Sequence, residues 1–330
     1  IANRSPDDRA HWVDGIVIAV RGATVHVEND GGESFLCSVR RVLRSRMIAE
    51  RSVIAVGDRV RFVPVELRTA ESSSPEGSID RQGVVEDILP RHTTLIREYG
   101  DRVHVIAANV DQALIVASVD EPPLRPHLID RFLVAVHKGG LRPVICINKC
   151  DFPLDADAAE FLDDVTDRYL ALQYQVVRTS VVAGDGIDAI RDLLKDKISV
   201  LVGMSGVGKS SLLNAVQPGL RLRVGDVSDS SRRGQHTTTT ALLLRLETGG
   251  YVVDTPGVRQ FELAHVDAEE LEAYFPEFVD RVAHCRYPNC RHLDESDCAI
   301  RAAVDAGEIH PDRYDSFVRM LTQRLQEPRR

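Results

Sequence analysis

Gly203-Met204-Ser205-Gly206-Val207-Gly208-Lys209-Ser210 is the stretch on which the fold turns. It reads as glycine, four residues, then glycine-lysine-serine. The apolar run Ile198 to Val202 leads into it, and Ser211-Leu-Leu-Asn-Ala215 opens a helix behind it. Strand, glycine-rich loop and helix in that order form the context of a phosphate-binding P-loop. Gly203, Gly206 and Gly208 let backbone N–H groups converge on phosphate oxygens, with Ser205, Val207 and Ser211 in the same cradle, and the helix N-terminus adds favourable partial charge. Lys209 has the charge to neutralise β- and γ-phosphates, and Ser210 the hydroxyl to ligate magnesium.

Upstream of the loop, strands alternate with helices. Strands are expected at Ala113 to Val119, Pro143 to Ile147, Gln175 to Thr179 and Ile198 to Val202, with helices at Pro126 to Lys138, Asp155 to Leu172 and Ile187 to Asp196. This alternation predicts a mostly parallel sheet that binds its ligand at the carboxyl ends of its strands. Those ends carry motifs. Asn148-Lys149-Cys150-Asp151 follows one strand and supplies a carboxylate, Asp151, that can accept two hydrogen bonds from guanine, a pair adenine does not offer. Discrimination of this kind reaches about 10⁴-fold or more, on the order of 5 kcal/mol. Lys149 is expected along the base plane and Asn148 as a tie to the P-loop. At the next strand end, the backbone of Thr179-Ser180-Val181 is placed to meet the guanine carbonyl oxygen.

Downstream, a strand from Tyr251 to Val253 ends in Asp254-Thr255-Pro256-Gly257, a switch II pattern. Asp254 would hold magnesium through water, and the Gly257 N–H would meet the γ-phosphate. Gly234-Gln-His-Thr-Thr-Thr-Thr240 has the composition of switch I, with a threonine to complete the magnesium shell. Where many GTPases carry a water-orienting glutamine, this chain has Val258. His236 is the candidate to replace it, because imidazole accepts or donates near neutral pH. The base-reading elements precede the P-loop, the reverse of the conventional order. One sheet accommodates both orders if the usual termini are joined and the chain is reopened after switch II.

The two ends of the chain differ from this middle. Short strands are expected at Trp12 to Val20, Thr24 to Glu28, Ser34 to Val39, Arg59 to Val65 and Gly83 to Ile88. They suit a small barrel, an OB-fold first and an SH3-like barrel as the alternative. Beyond about residue 265 the chain reads as helical around Cys285, Cys290, His292 and Cys298, a C-x4-C-x-H-x5-C spacing. Three thiolates and one imidazole are a tetrahedral set suited to a closed, structural zinc site. His284 adjoins Cys285 and is a competing ligand.

Composition narrows the function classes. The net charge of −9 excludes a uniformly basic surface, so nucleic-acid contact must come from local patches such as Arg40, Arg41, Arg44 and Arg46. No apolar run approaches the roughly 20 residues of a membrane span, and no leader pattern opens the sequence, so a cytoplasmic protein with no membrane partner is expected, with a monomer as the default oligomeric state.

With these motifs the chain resembles the RsgA family, also called YjeQ or YloQ, permuted GTPases that act on the bacterial small ribosomal subunit. The resemblance spans nearly the whole chain. It implies an all-β OB barrel for RNA over 1–105, a permuted α/β P-loop GTPase domain over 106–264 and a mostly helical zinc module over 265–330. It further implies ribosome-stimulated hydrolysis of GTP to GDP and phosphate in late small-subunit maturation, with the subunit and its rRNA as partners. Mg2+ bound with the nucleotide, one structural Zn2+, Thr238 or Thr239 as the switch I ligand and His236 as the catalytic residue beside Lys209 are implied likewise. Met204 and Val181 depart from the family's usual residues at positions that act through backbone. Gly206 stands where some GTPases carry a potassium-holding asparagine, so no strict potassium requirement is expected. The alternatives are a permuted GTPase of large-subunit assembly, which leaves barrel and zinc module unexplained, and an RNA-binding scaffold with a weak nucleotide site.

Overall fold

The computed structural model describes residues 11–43, 54–65, 81–99, 102–220, 241–254 and 266–326. The described chain divides into two compact units. One holds the residues up to Asp111 together with 196–199 and 241–254; the other holds the remainder.

In the first unit, β1 (Val13–Arg21), β2 (Thr24–Asn29), β3 (Ser34–Val39), β4 (Arg59–Val65) and β5 (Gln82–Ile88) lie in the order β1-β2-β3-β5-β4, and β4 pairs back to β1. The β3–β5 pairing is parallel and the others are antiparallel. That closed Greek-key circuit is an OB barrel, so the SH3-like alternative falls. Alternate residues along these strands point inward, and Val17, Val25, Val27, Phe35, Val60, Phe62 and Val85 form the apolar interior, with the Phe35 and Phe62 rings 4.9 Å apart. A separate hairpin follows, β6 (Thr94–Tyr99) with β7 (Arg102–Ala108).

The second unit runs β8 (Gln112–Ser118), α1 (Pro126–Lys138), β9 (Arg142–Asn148), α2 (Ala156–Ala171), β10 (Gln175–Arg178), α3 (Ile187–Leu194), β11 (Ile198–Val202, whose first two residues are counted with the first unit) and α4 (Lys209–Val216). The sheet order is β10-β9-β8-β11, with β8, β9 and β10 parallel. β8 and β9 are buried almost throughout, as strands covered on both faces must be. Pro126 occupies the first turn of α1, where a missing N–H costs nothing, and the Asp155 carboxylate caps α2 by accepting from Ala158 N at 2.9 Å.

Back in the first unit, β12 (Leu242–Arg245) and β13 (Tyr251–Asp254) form an antiparallel hairpin whose Leu242 pairs with Ala19 of β1. Glu28 of β2 accepts hydrogen bonds from Arg245 Nη1 and the Tyr251 hydroxyl, both at 2.7 Å. The hairpin is thereby fastened to the barrel.

The C-terminal residues belong to the second unit and are helical: a 3-10 turn (Leu271–Tyr274), α5 (Pro276–Val279), α6 (Ala299–Asp305) and α7 (Pro311–Gln326). Leu271, Phe275, Phe278, Ile300, Phe317 and Met320 form one core with Val134 and Ala135 of α1. Inside it lies a buried ion cluster. Arg313 of α7 donates to Asp130 of α1 and to Glu277 of α5, each at 2.6 Å, and stacks 4.6 Å over Phe275. The Tyr169 hydroxyl gives Asp130 a further hydrogen bond at 2.7 Å. No helix among the described residues is long and apolar enough to cross a membrane.

Three strands were not anticipated from the sequence: β6, β7 and β12. The first two flank Gly100-Asp101, a dipeptide of hairpin type, so a usable signal was present there. β12 is a four-residue strand whose partners lie elsewhere in the chain, which leaves little local pattern to read.

Candidate functional site

The P-loop follows buried β11 and opens α4. Gly203 has φ +142, and a Cβ there would lie 2.1 Å from the Val116 carbonyl oxygen; at Gly208, φ +95, a Cβ would lie 2.4 Å from Asn148 Nδ2. Any side chain at either position would be both strained and obstructed, so the loop depends on these two glycines. Lys209 Nζ donates to the Gly203 and Met204 carbonyls at 2.8 and 2.6 Å, which holds the ammonium against the loop.

Asn148 organises the site. It is 2% exposed; its Nδ2 donates to the Val207 carbonyl at 3.0 Å and its Oδ1 accepts from Thr179 Oγ1 at 3.0 Å. One amide side chain thus joins the end of β9, the end of β10 and the P-loop. Lys149, in a left-handed conformation, donates its ammonium to the Glu121 carbonyl. Asp151 is exposed, and its Oδ1 accepts from Ser180 Oγ at 2.5 Å. The same Ser180 Oγ accepts from Ala183 N at 2.9 Å, while the Ser180 N–H donates to Asp185 O. The structure therefore brings Asn148, Lys149, Asp151, Ser180, Val181 and the loop from Gly203 to Ser211 into a single region of the second unit. The Thr179 side chain, in a motif expected to act through its backbone, joins them through a contact that spans 31 residues, and Glu121, which no local pattern marks, through one that spans 28.

Asp254 ends β13 in the first unit, where burial raises its carboxyl above the ordinary range. His236, Thr238, Thr239 and Gly257 lie outside the described residues, as do Arg44 and Arg46. Of the remaining candidates for RNA contact, Arg40 is half-buried and ion-paired with Glu86, and Arg41 is exposed.

The ligand atoms of Cys285, Cys290, His292 and Cys298 all fall within 4.8 Å of one another. His292 Nδ1 lies 3.6 Å from Cys285 Sγ and 3.4 Å from Cys298 Sγ. His284 is exposed and is not part of the group. Burial, with the neighbouring sulfurs of Cys298 and Cys285, pushes the Cys290 thiol up to about 12. A thiol raised in this way resists ionisation alone, and a bound dication reverses that logic. The donor set fits a four-coordinate metal ion.

Residues 88–264 match the family described as RsgA GTPase. A protein of Shewanella oneidensis named "Small ribosomal subunit biogenesis GTPase RsgA" is 42% identical over 308 residues, 93% of this chain and 82% of the relative. One of the same name from Thermotoga petrophila is 41% identical over 312 residues, 94% of this chain and 96% of the relative. Among solved structures, YjeQ from Thermotoga maritima superimposes with a TM-score of 0.76 at 38% identity, covering 96% of this chain and 99% of the other. YloQ, described as a circularly permuted GTPase, gives 0.75 at 30% identity, covering 99% and 100%.

Proposed function

This chain belongs to the RsgA GTPase family, and from that premise we propose that it hydrolyses GTP to GDP and phosphate as a switch in late maturation of the small ribosomal subunit. It works as a cytoplasmic monomer, with the subunit and its rRNA as partners. The observation that carries the reading is Asn148, whose amide bridges the Val207 carbonyl and the Thr179 hydroxyl. Base-reading and phosphate-binding elements that run in inverted order along the chain meet through that side chain.

Each residue then has a role. Asp151 pairs with the guanine N–H groups; its Oδ1 keeps a second lone pair beyond the one that Ser180 uses. Because Asp185 occupies the Ser180 N–H, the contact to the guanine carbonyl falls to the Val181 backbone. Gly203 to Ser211 cradle the phosphates, and Lys209 turns from its loop carbonyls to the β- and γ-phosphate oxygens. Ser210, Asp254 through water, and either Thr238 or Thr239 would hold magnesium, which would supply charge neutralisation to the phosphates. The Gly257 N–H meets the γ-phosphate, and His236 orients the attacking water. Cys285, Cys290, His292 and Cys298 hold one structural zinc, and the barrel with Arg40, Arg41, Arg44 and Arg46 contacts rRNA phosphates.

Co-sedimentation with each ribosomal subunit and a non-hydrolysable GTP analogue is the test. Binding to the small subunit is expected, weakening with salt; capture by the large subunit alone, or by neither, refutes the reading. His236→Ala should keep GTP affinity while turnover falls, and unchanged turnover would remove that residue from the mechanism.

A further inference from the structure

The zinc reading has a structural consequence twenty residues upstream of the ligand histidine. His292 is 1% exposed and sits at φ +60, a left-handed backbone that few residues other than glycine adopt. One constraint is visible in α7, where the Tyr314 hydroxyl donates to the His292 carbonyl at 2.6 Å. The ring divides its two nitrogens between two kinds of neighbour. Nδ1 faces the sulfurs of Cys285 and Cys298, and Nε2 lies 2.8 Å from Glu272 Oε2. A neutral imidazole carries one proton, and a carboxylate can only accept. The proton therefore belongs on Nε2, and Nδ1 keeps the lone pair that a metal requires.

Glu272 is held for this task. It belongs to the 3-10 turn Leu271–Tyr274, whose Leu271 is 1% exposed in the core shared with Val134 and Ala135 of α1. The preceding Glu270 pairs with Lys138 at the end of α1. We propose that Glu272 is the outer-sphere positioning residue of the metal centre, fixing the tautomer and the ring orientation of His292. Resting as it does on the zinc reading, the proposal makes metal affinity depend on a turn anchored to the nucleotide-binding half of the second unit.

The experiment uses the full-length zinc-loaded protein. Zinc affinity is measured by competition with a chromophoric chelator for the wild type, Glu272→Ala, Glu272→Gln and Glu270→Ala, and the His292 ring nitrogens are observed by ¹H–¹⁵N NMR. Glu272→Ala should weaken zinc binding by about 10- to 100-fold, the range seen when outer-sphere partners are lost. Glu272→Gln, whose amide oxygen still accepts from Nε2–H, should weaken it less, and Glu270→Ala should change it by less than about twofold. Wild-type affinity in Glu272→Ala, or an equal loss in Glu270→Ala, overturns the proposal. A wild-type spectrum with the proton on Nδ1 overturns it even if the alanine variant does not fold. A wild type that takes up no zinc fails earlier, at the zinc reading itself.

Discussion

Arg313 and Arg245 each tie a late segment of the chain to an early one, and their surroundings could hardly differ more. The Arg313 side chain is 2% exposed, and its partners Asp130 and Glu277 are 1% and 6% exposed. Arg245 is 47% exposed and shares Glu28, itself 10% exposed, with the Tyr251 hydroxyl. In the first place three charges are out of water and depend on one another for solvation. In the second, water can replace whatever the arginine provides. The helical module is therefore joined to α1 by a cluster that is complete or severely costly, and the β12–β13 hairpin is joined to the barrel by contacts that can be lost one at a time.

The largest effect should come from stripping the metal, because binding energy at a closed site is folding energy. Chelation should release the amide-exchange protection of α6 and α7 while the barrel strands keep theirs; equal loss in both places would mean that the two regions do not differ as described. Next comes Arg313→Ala, which leaves two buried carboxylates unpaired and should cost about 3–5 kcal/mol in urea denaturation. Replacing all three charges with apolar residues, Arg313→Met with Asp130→Leu and Glu277→Met, should cost far less. An alanine penalty below about 1 kcal/mol would show that water reaches the cluster. Tyr251→Phe removes one neutral donor from a largely buried carboxylate and should cost about 1 kcal/mol. Arg245→Ala should cost about 0–1 kcal/mol, as exposed pairs do, and a larger loss would erase the contrast with Arg313.

The smallest effect is a pH slope. Burial, and then the charge of Arg313, lower the pKa of His137. The unfolded chain takes up that proton near the ordinary imidazole value of about 6.5 and the folded chain only at lower pH. Below about 6.5 the unfolded state therefore binds more protons. The contribution of His137 is fully present above that value and is lost as pH falls through the folded pKa. Urea titrations at pH 7.5 and 5.5 should show a smaller difference in His137→Gln than in the wild type.

How much of this could be read in advance varies with how local the causes are. The α1 bounds, Pro126 and Lys138, follow from a proline at the first turn and a Gly139-Gly140 stop, and the barrel strands follow from alternation broken by turns. Lys209, Asp151 and the four metal-ligand candidates each sit in a short pattern. Glu272, Glu28, Asp130 and Arg313 sit in none. A lone charged residue on a helix or strand reads as a solvated face, and only a partner 20 to 217 residues away changes that reading.

The sequence by itself determined the nucleotide chemistry, the permuted order and the alternation of strands and helices that leads into the P-loop, because P-loop, base-reading motif and strand alternation act through neighbours a few positions apart. Tertiary structure alone decided the rest: the parallel β3–β5 pairing that makes the barrel an OB-fold, the ionic cluster that joins the helical module to α1, and the carboxylate behind His292. Those depend on which distant groups lose water together, and desolvation is a property of the packed chain.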